Sequence, residues 1–512
     1  MTTLEREKAL LSTDLTNEDS ESALAPAAKS FIPADFDFVD REQALAQLSP
    51  ANLKASQSPY ILIRTPAGYG KSYLLYRLLQ LMQNQAAGAG EERWQCRYID
   101  FSQQRREQIT YIISEITGQS FHDERSVTIN FVCDCITQKL AAPHAEGRCA
   151  VLLLFDSVEQ LFESARQWLY SLLHELRVRT HVDFQEIITV RVIIAERNVE
   201  SFWEGFKRAY PVSPPPLPLT LPPFDTAAIR TLVRQRAAAA QIELSEATVA
   251  KIAEEAAYLS GGHPKVIDGL LDELEAQTFA IGAVADYFEC QCGALVRKYI
   301  SFVVDDLLDS LDAFPRHLRR ALRVLSIFRW VNANTVQALC EAELLPPNLD
   351  EVKLLGDLQQ THLFGAPSPQ TPYYRDQQMR RILALDLAHR SEDDRALYQE
   401  LNQLALDLYA AWLHRLPDPK LRRLSFIEWL YHALQAPALS DADLRAAFQR
   451  YLRSLEDAGA GDPANPPVTA WIEEQLQADP EIVYLVQHRW GADGLTTLRS
   501  WLPPRFRQHN AM

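Results

Sequence analysis

From Phe31 to about Phe224, short apolar runs alternate with stretches of helical period. The runs Tyr60–Arg64, Arg97–Phe101, Ala150–Phe155, Val190–Ala195 and Leu217–Leu221 read as strands, with helices such as Ser72–Asn84 and Ala165–Arg177 between them. A strand that is apolar throughout is buried on both faces, and such strands separated by helices predict a parallel sheet sandwiched by helices. The Pro-rich segment Pro211–Pro223 closes this unit as an edge strand or a connector, because proline removes ladder donors.

Beyond it the pattern is almost wholly helical. Thr226–Gln241 and Ser245–Ser260 read as Ala-rich helices, Gly261–Gly262 as a break, and Pro264 as the first turn of the next helix. Helices near Val304–Leu311, Pro315–Ile327 and Ala333–Glu343 precede two short extended runs, Leu363–Phe364 and Tyr373–Tyr374, around the turn Gly365–Ser368. Helices followed by a hairpin fit a winged-helix unit. The expected division is an acidic disordered tail at 1–30, an α/β core at 31–224, an all-α region at 225–294, a winged helix at 295–392 and a C-terminal helical domain at 393–512. No repeat of fixed period is present.

At 512 residues the chain exceeds one hydrophobic core; roughly 150 residues per domain suggests three or four. Apolar residues at 47% and charged residues at 23% are ordinary for a globular protein. The longest apolar runs fall far short of the roughly 20 residues that span a bilayer. The N-terminus, with Glu5, Glu7, Asp14, Glu18, Asp19 and Glu21, lacks the features of a signal peptide. The expectation is a cytoplasmic protein with no membrane partner. A net charge of −16 disfavours a general grip on nucleic acid but leaves a local basic face open. Seven cysteines without an export signal read as reduced thiols, and the pairs Cys133/Cys135 and Cys290/Cys292 lack further ligands at metal spacing.

The chemistry concentrates in Tyr60–Ser72, where a strand runs into a loop with two glycines and a helix begins at Lys71. That order gathers backbone N–H groups and the positive end of a helix at one spot. Gly68 and Gly70 let backbone approach phosphate, Lys71 reaches β- and γ-phosphates, and the Ser72 hydroxyl ligates Mg²⁺. Pro66, Ala67, Tyr69 and Tyr73 complete the expected contact set. Thr65 stands where the full G-x-x-x-x-G-K-[ST] pattern has its first glycine.

A second constellation is Cys149–Glu159, an apolar strand ending in Asp156 with Glu159 three residues on. A carboxylate at the C-terminal end of a central strand stands at the mouth where open α/β sheets bind ligands. Asp156 would hold Mg²⁺, and Glu159 would position or deprotonate a water; the plainer alternative is that Asp156 caps the next helix. A third strand ends in Arg197 at the same edge, either to sense a γ-phosphate or as a solvated cation paired with Glu196.

These residues together resemble the STAND class of P-loop NTPases, signal-transducing switches related to AAA+ and origin-recognition ATPases. Phe38-Val-Asp-Arg-Glu42 is similar to that class's opening F-V-G-R-E motif, Thr65–Ser72 to Walker A, Leu152–Glu159 to Walker B, and Ile193–Arg197 to the sensor strand. Gly262-His-Pro264 resembles the G-x-P motif of the helical lid, and Tyr374-Arg-Asp376 ends the winged-helix hairpin where relatives often carry a His-Asp pair. The resemblance implies that Val39, Arg41, Pro264 and Arg375 join the nucleotide site and that ATP and ADP are its ligands. It further implies slow hydrolysis, with exchange of ADP for ATP opening the domains for oligomerisation or partner binding in bacterial signalling or defence.

Three functions stay open at this level. The first is that switch, with the C-terminal region docking a protein partner, for which the aromatic stretch Phe426–Tyr431 is either a surface or core. The second is a DNA-binding regulatory ATPase, using Arg316, Arg319, Arg320, Arg323 and Arg329 near one helix. The third is a scaffold that binds nucleotide without turnover.

Overall fold

The computed structural model describes residues 41–65, 68–84, 93–102, 109–118, 127–140, 149–182, 189–197, 202–211, 214–277, 279, 284–309, 316–347, 349–360, 377–436, 438–459, 467–491 and 493–502. The chain divides into two compact units, Met1–Arg236 and Ala237–Met512.

The first unit is built on a five-stranded parallel sheet in the order β2-β3-β4-β1-β5. Its strands are β1 Tyr60–Arg64, β2 Arg93–Asp100, β3 Cys149–Asp156, β4 Thr189–Glu196 and β5 Leu217–Leu219. The expected strands are present. Arg97–Phe101 starts four residues earlier, at Arg93, because β2 is a half-exposed edge strand whose first residues alternate rather than run apolar. The Pro-rich segment contributes β5, which pairs along β1 at the other edge, where Pro218 is tolerated.

Side-chain alternation splits this core into two layers. Tyr60, Leu62, Leu153, Phe155 and Ile194 face the helices Ile109–Thr117, Ile129–Asp134, Glu163–Val182 and Phe202–Ala209. Ile61, Ile63, Leu152, Leu154 and Ile193 face the other layer, which holds Leu48, Leu53 and the buried stripe Leu74, Leu75, Leu78 and Met82 of the helix Lys71–Asn84. Residues Ala150 to Phe155 are fully buried, and each Leu or Phe contributes about 1.5–3 kcal/mol by leaving water. Because all five strands are parallel and β4 lies between β3 and β1, the ends of β1, β4 and β3 share one edge.

The described elements of the second unit are all helices. The helix Glu246–Ser260 is capped by the Ser245 hydroxyl at its start and by Gly261 in the left-handed region at its end. Arg329 and Arg380, on segments expected in the winged helix, are buried and paired with Glu428, Asp479 and Glu481 from farther along the chain. Phe426, Trp429, Leu430 and Tyr431 are buried, so the aromatic stretch is core and not a docking surface. The expected hairpin at 363–374 lies outside the described residues. Among those described, no helix is long and apolar enough to cross a membrane.

Candidate functional site

At the C-terminal edge of the sheet, β1 gives way to Thr65 and then to Gly68, Tyr69 and Gly70. Gly68 has φ 78° and Gly70 φ 83°, the left-handed region in which a side chain is strained. A Cβ built on Gly70 meets nothing within 4 Å, so the space above this turn is open. Lys71 begins the 14-residue helix Lys71–Asn84, and its Nζ donates to the Thr65 carbonyl at 2.7 Å while the residue is only 8% exposed. An ammonium and the N–H groups of a helix start thus meet beside an open turn. Pro66 and Ala67 lie outside the described residues; Ser72 and Tyr73 are half-buried on the first helical turn.

Arg41 braces this loop from behind. It is buried, its Nη2 donates to the Tyr69 carbonyl at 3.3 Å, and its guanidinium lies 4.8 Å from the Phe224 ring centre. The arginine of the opening motif therefore touches the loop itself, while Val39 lies outside the described residues.

Asp156 ends β3 on the face covered by the helix from Lys71, since it follows Leu152 and Leu154 at the strand period of two. It is 1% exposed; Oδ2 accepts from the Tyr98 hydroxyl at 2.9 Å, and Oδ1 has no hydrogen-bond partner. Burial pushes its carboxyl above the usual carboxylate range, while the neighbouring Ser72 and Tyr98 hydroxyls and Lys71 pull it back. A buried carboxylate with one orphaned oxygen beside a serine hydroxyl is a donor set that suits a hard divalent cation, so Ser72 and Asp156 fit Mg²⁺.

Glu159 sits on the 3₁₀ turn Val158–Gln160, entered through Ser157 in a left-handed conformation at φ 59°. Arg166 ties the turn down by donating from Nη2 to the Glu159 and Leu161 carbonyls, each at 3.3 Å. Both Glu159 oxygens are held by Arg197: Nε lies 3.1 Å from Oε1, and the backbone N–H donates to Oε2 at 3.3 Å. The side chains of this pair are 10% and 27% exposed. Arg197 thus pairs with Glu159 and not with Glu196, whose carboxylate is fully buried and bound to Arg64 at 2.6 Å across the β1–β4 register.

In the second unit, Pro264 occupies the first turn of the helix Pro264–Ala276, after a buried His263. A Cβ on Gly261 would stand 3.2 Å from the Gln378 Cα, so the turn before Pro264 packs directly on the helix Gln377–His389. Arg375 lies outside the described residues. Of the arginines expected on a basic face, Arg323 is part-exposed and pairs with Asp386 and Asp394, and Arg329 is buried against Glu428 and Asp479, so both are engaged within the chain. Cys96, Cys133, Cys292 and Cys340 are free thiols. Tyr98, Arg64 and Arg166 were not anticipated from sequence. The one signal for Tyr98 was its place in the alternation Trp94, Cys96, Tyr98, which faces the helix-covered side.

No known family profile matches the chain, and no curated protein matches it. Among solved structures it is similar to a Walker-type ATPase of Pyrococcus abyssi, at 14% identity and a TM-score of 0.47 over 68% of this chain and 96% of that one. It is also similar to the ORC2 protein of Aeropyrum pernix in its ADPNP–ADP complexes, at 17% identity and a TM-score of 0.43 over 70% of this chain and 96% of that one. Drosophila ORC bound to DNA follows at 15% identity and a TM-score of 0.34, over 72% of this chain and 93% of that one. At such TM-scores these likenesses carry no part of the functional reading.

Proposed function

We propose that the chain is a P-loop nucleoside triphosphatase that binds ATP and ADP at the loop after β1. The observation that carries this reading is the convergence of two left-handed glycines, a buried lysine at a helix start and a buried aspartate with an orphaned oxygen at one sheet edge. Backbone amides of the loop and the Lys71 ammonium neutralise the β- and γ-phosphates. Arg41 holds the loop carbonyl of Tyr69 and keeps the turn in shape. Ser72 and Asp156 would hold Mg²⁺, which would supply charge neutralisation to the phosphates. Glu159 takes a proton from, or orients, the attacking water once Oε1 is released by Arg197, and Arg197 then turns to the γ-phosphate.

The finer reading is a slowly hydrolysing STAND-type switch in a bacterial signalling or defence pathway. In it, contacts of Pro264 and Arg375 with nucleotide distinguish ADP from ATP, and exchange biases domain opening, self-association or docking of a protein partner on the C-terminal helices. The preference for ATP rests on the sequence resemblance. The alternative of DNA binding through a basic helix loses support from the internal pairing of Arg323 and Arg329.

The test measures nucleotide retention, phosphate release and size-exclusion profile for the wild type, Lys71→Ala and Glu159→Ala. Lys71→Ala should lose nucleotide. Glu159→Ala should keep ATP, stop releasing phosphate and move toward a larger or more open species. Unchanged nucleotide content in Lys71→Ala defeats nucleotide binding at this loop; an unchanged elution profile in Glu159→Ala defeats the switch alone.

A further inference from the structure

Two aspartates end adjacent strands in register, Asp100 on β2 and Asp156 on β3, and their surroundings differ. Asp100 is satisfied locally: Oδ1 accepts the Ser102 N–H at 2.7 Å and Oδ2 the Ser102 hydroxyl at 2.6 Å. Asp156 is buried, keeps Oδ1 orphaned, and accepts at Oδ2 from a phenol on the neighbouring strand, with the Ser72 hydroxyl close by. Tyr98 reaches it because the period of two places Trp94, Cys96 and Tyr98 on the sheet face shared with Leu154 and Asp156. The phenol carries the O–H and the carboxylate oxygen only accepts, so Tyr98 is the donor in this bond.

A lone carboxylate at a strand end rotates about its last torsion and presents either oxygen; a donor fixed on the next strand removes that freedom. We propose that Tyr98 is the positioning residue for Asp156, reserving Oδ1 for a divalent cation beside Ser72 and so setting how strongly bound nucleotide depends on that cation. The proposal rests on nucleotide binding at the loop after β1. It assigns Tyr98 no contact with phosphate, and it assigns Asp100 no part in holding the cation.

The test uses the full-length chain and a fluorescent ADP analogue, titrated first in EDTA and then with rising MgCl₂. In EDTA, Tyr98→Phe should bind within about twofold of wild type, since the lysine and amides are untouched. With MgCl₂, the concentration giving half of the gain in affinity should rise about 10-fold or more, the range seen when a donor behind a metal-binding carboxylate is removed. Asp100→Asn should shift neither quantity. An unchanged MgCl₂ midpoint in Tyr98→Phe overturns the proposal. So does an equal loss in EDTA and in MgCl₂, which marks a general structural role. Absence of binding by the wild type in both conditions defeats the underlying nucleotide reading and the Tyr98 assignment with it.

Discussion

Replacing Glu481 by Gln removes one charge from a buried ion pair of the helical unit and keeps the side-chain shape. Glu481 begins the helix Pro480–Trp490, and its Oε1 pairs with Arg380, whose side chain is fully buried. Burial alone would raise this carboxyl, but Arg380, Arg381 and Arg329 together outweigh it and bring it from 4.5 down to about 2. At about 1.4 kcal/mol per pH unit, that difference corresponds to about 3 kcal/mol of stability at neutral pH, or roughly 100-fold in a local opening equilibrium. Because the folded-state value is depressed, the contribution is complete above 4.5 and disappears as the pH falls through about 2. Hydrogen exchange at the amides of residues 481–490 reads it directly, without requiring a chain of two compact units to unfold in one step. Glu481→Gln should speed that exchange roughly 100-fold at pH 7, with the gap to wild type narrowing below pH 4. A gap under threefold, or one that stays constant with pH, refutes the reasoning. Glu428 supplies the contrast: burial wins over its bond to Arg329 and raises its carboxyl above the ordinary range.

Gly70→Ala meets no neighbour within 4 Å and should lower stability by only about 1–2 kcal/mol, the cost of a left-handed Cβ; nucleotide affinity should fall further, because the methyl stands where phosphate approaches, and isothermal titration compares the two losses. Arg197→Gln should leave ADP affinity within about twofold and reduce single-turnover phosphate release about 10-fold or more, as expected for loss of a cation at developing charge. Leu153→Ala empties a fully buried position in the middle of β3 and should cost about 2–5 kcal/mol in urea titration of the α/β unit followed by far-ultraviolet dichroism.

The loop after β1 was legible because its chemistry is local. Glycine at 68 and 70 is needed for φ near 80°, and Lys71 follows because helix and ammonium act on the same point. β1, β3 and β4 were legible because a buried parallel strand has no polar face to break its apolar run. What stayed hidden depended on strand order. Arg64 and Glu196 are 132 residues apart and meet only because β4 inserts beside β1. Glu159 and Arg197 likewise meet across the sheet edge, 38 residues apart, which redirected Arg197 from its sequence neighbour Glu196. Arg329 read as one of a basic cluster, because a sequence does not distinguish a solvated arginine from one whose carboxylate lies 99 residues on.

The three residues of β5 bear on how this molecule can associate with others. An outermost strand is ordinarily a template on which a foreign chain can zip, residue by residue. Here Leu217–Leu219 is short, and Pro218 leaves a gap in the amide row, so an incoming segment finds no continuous run of bonds to copy. Self-association of this unit is therefore expected to proceed by packing of side-chain surfaces rather than by lengthening the sheet at that margin.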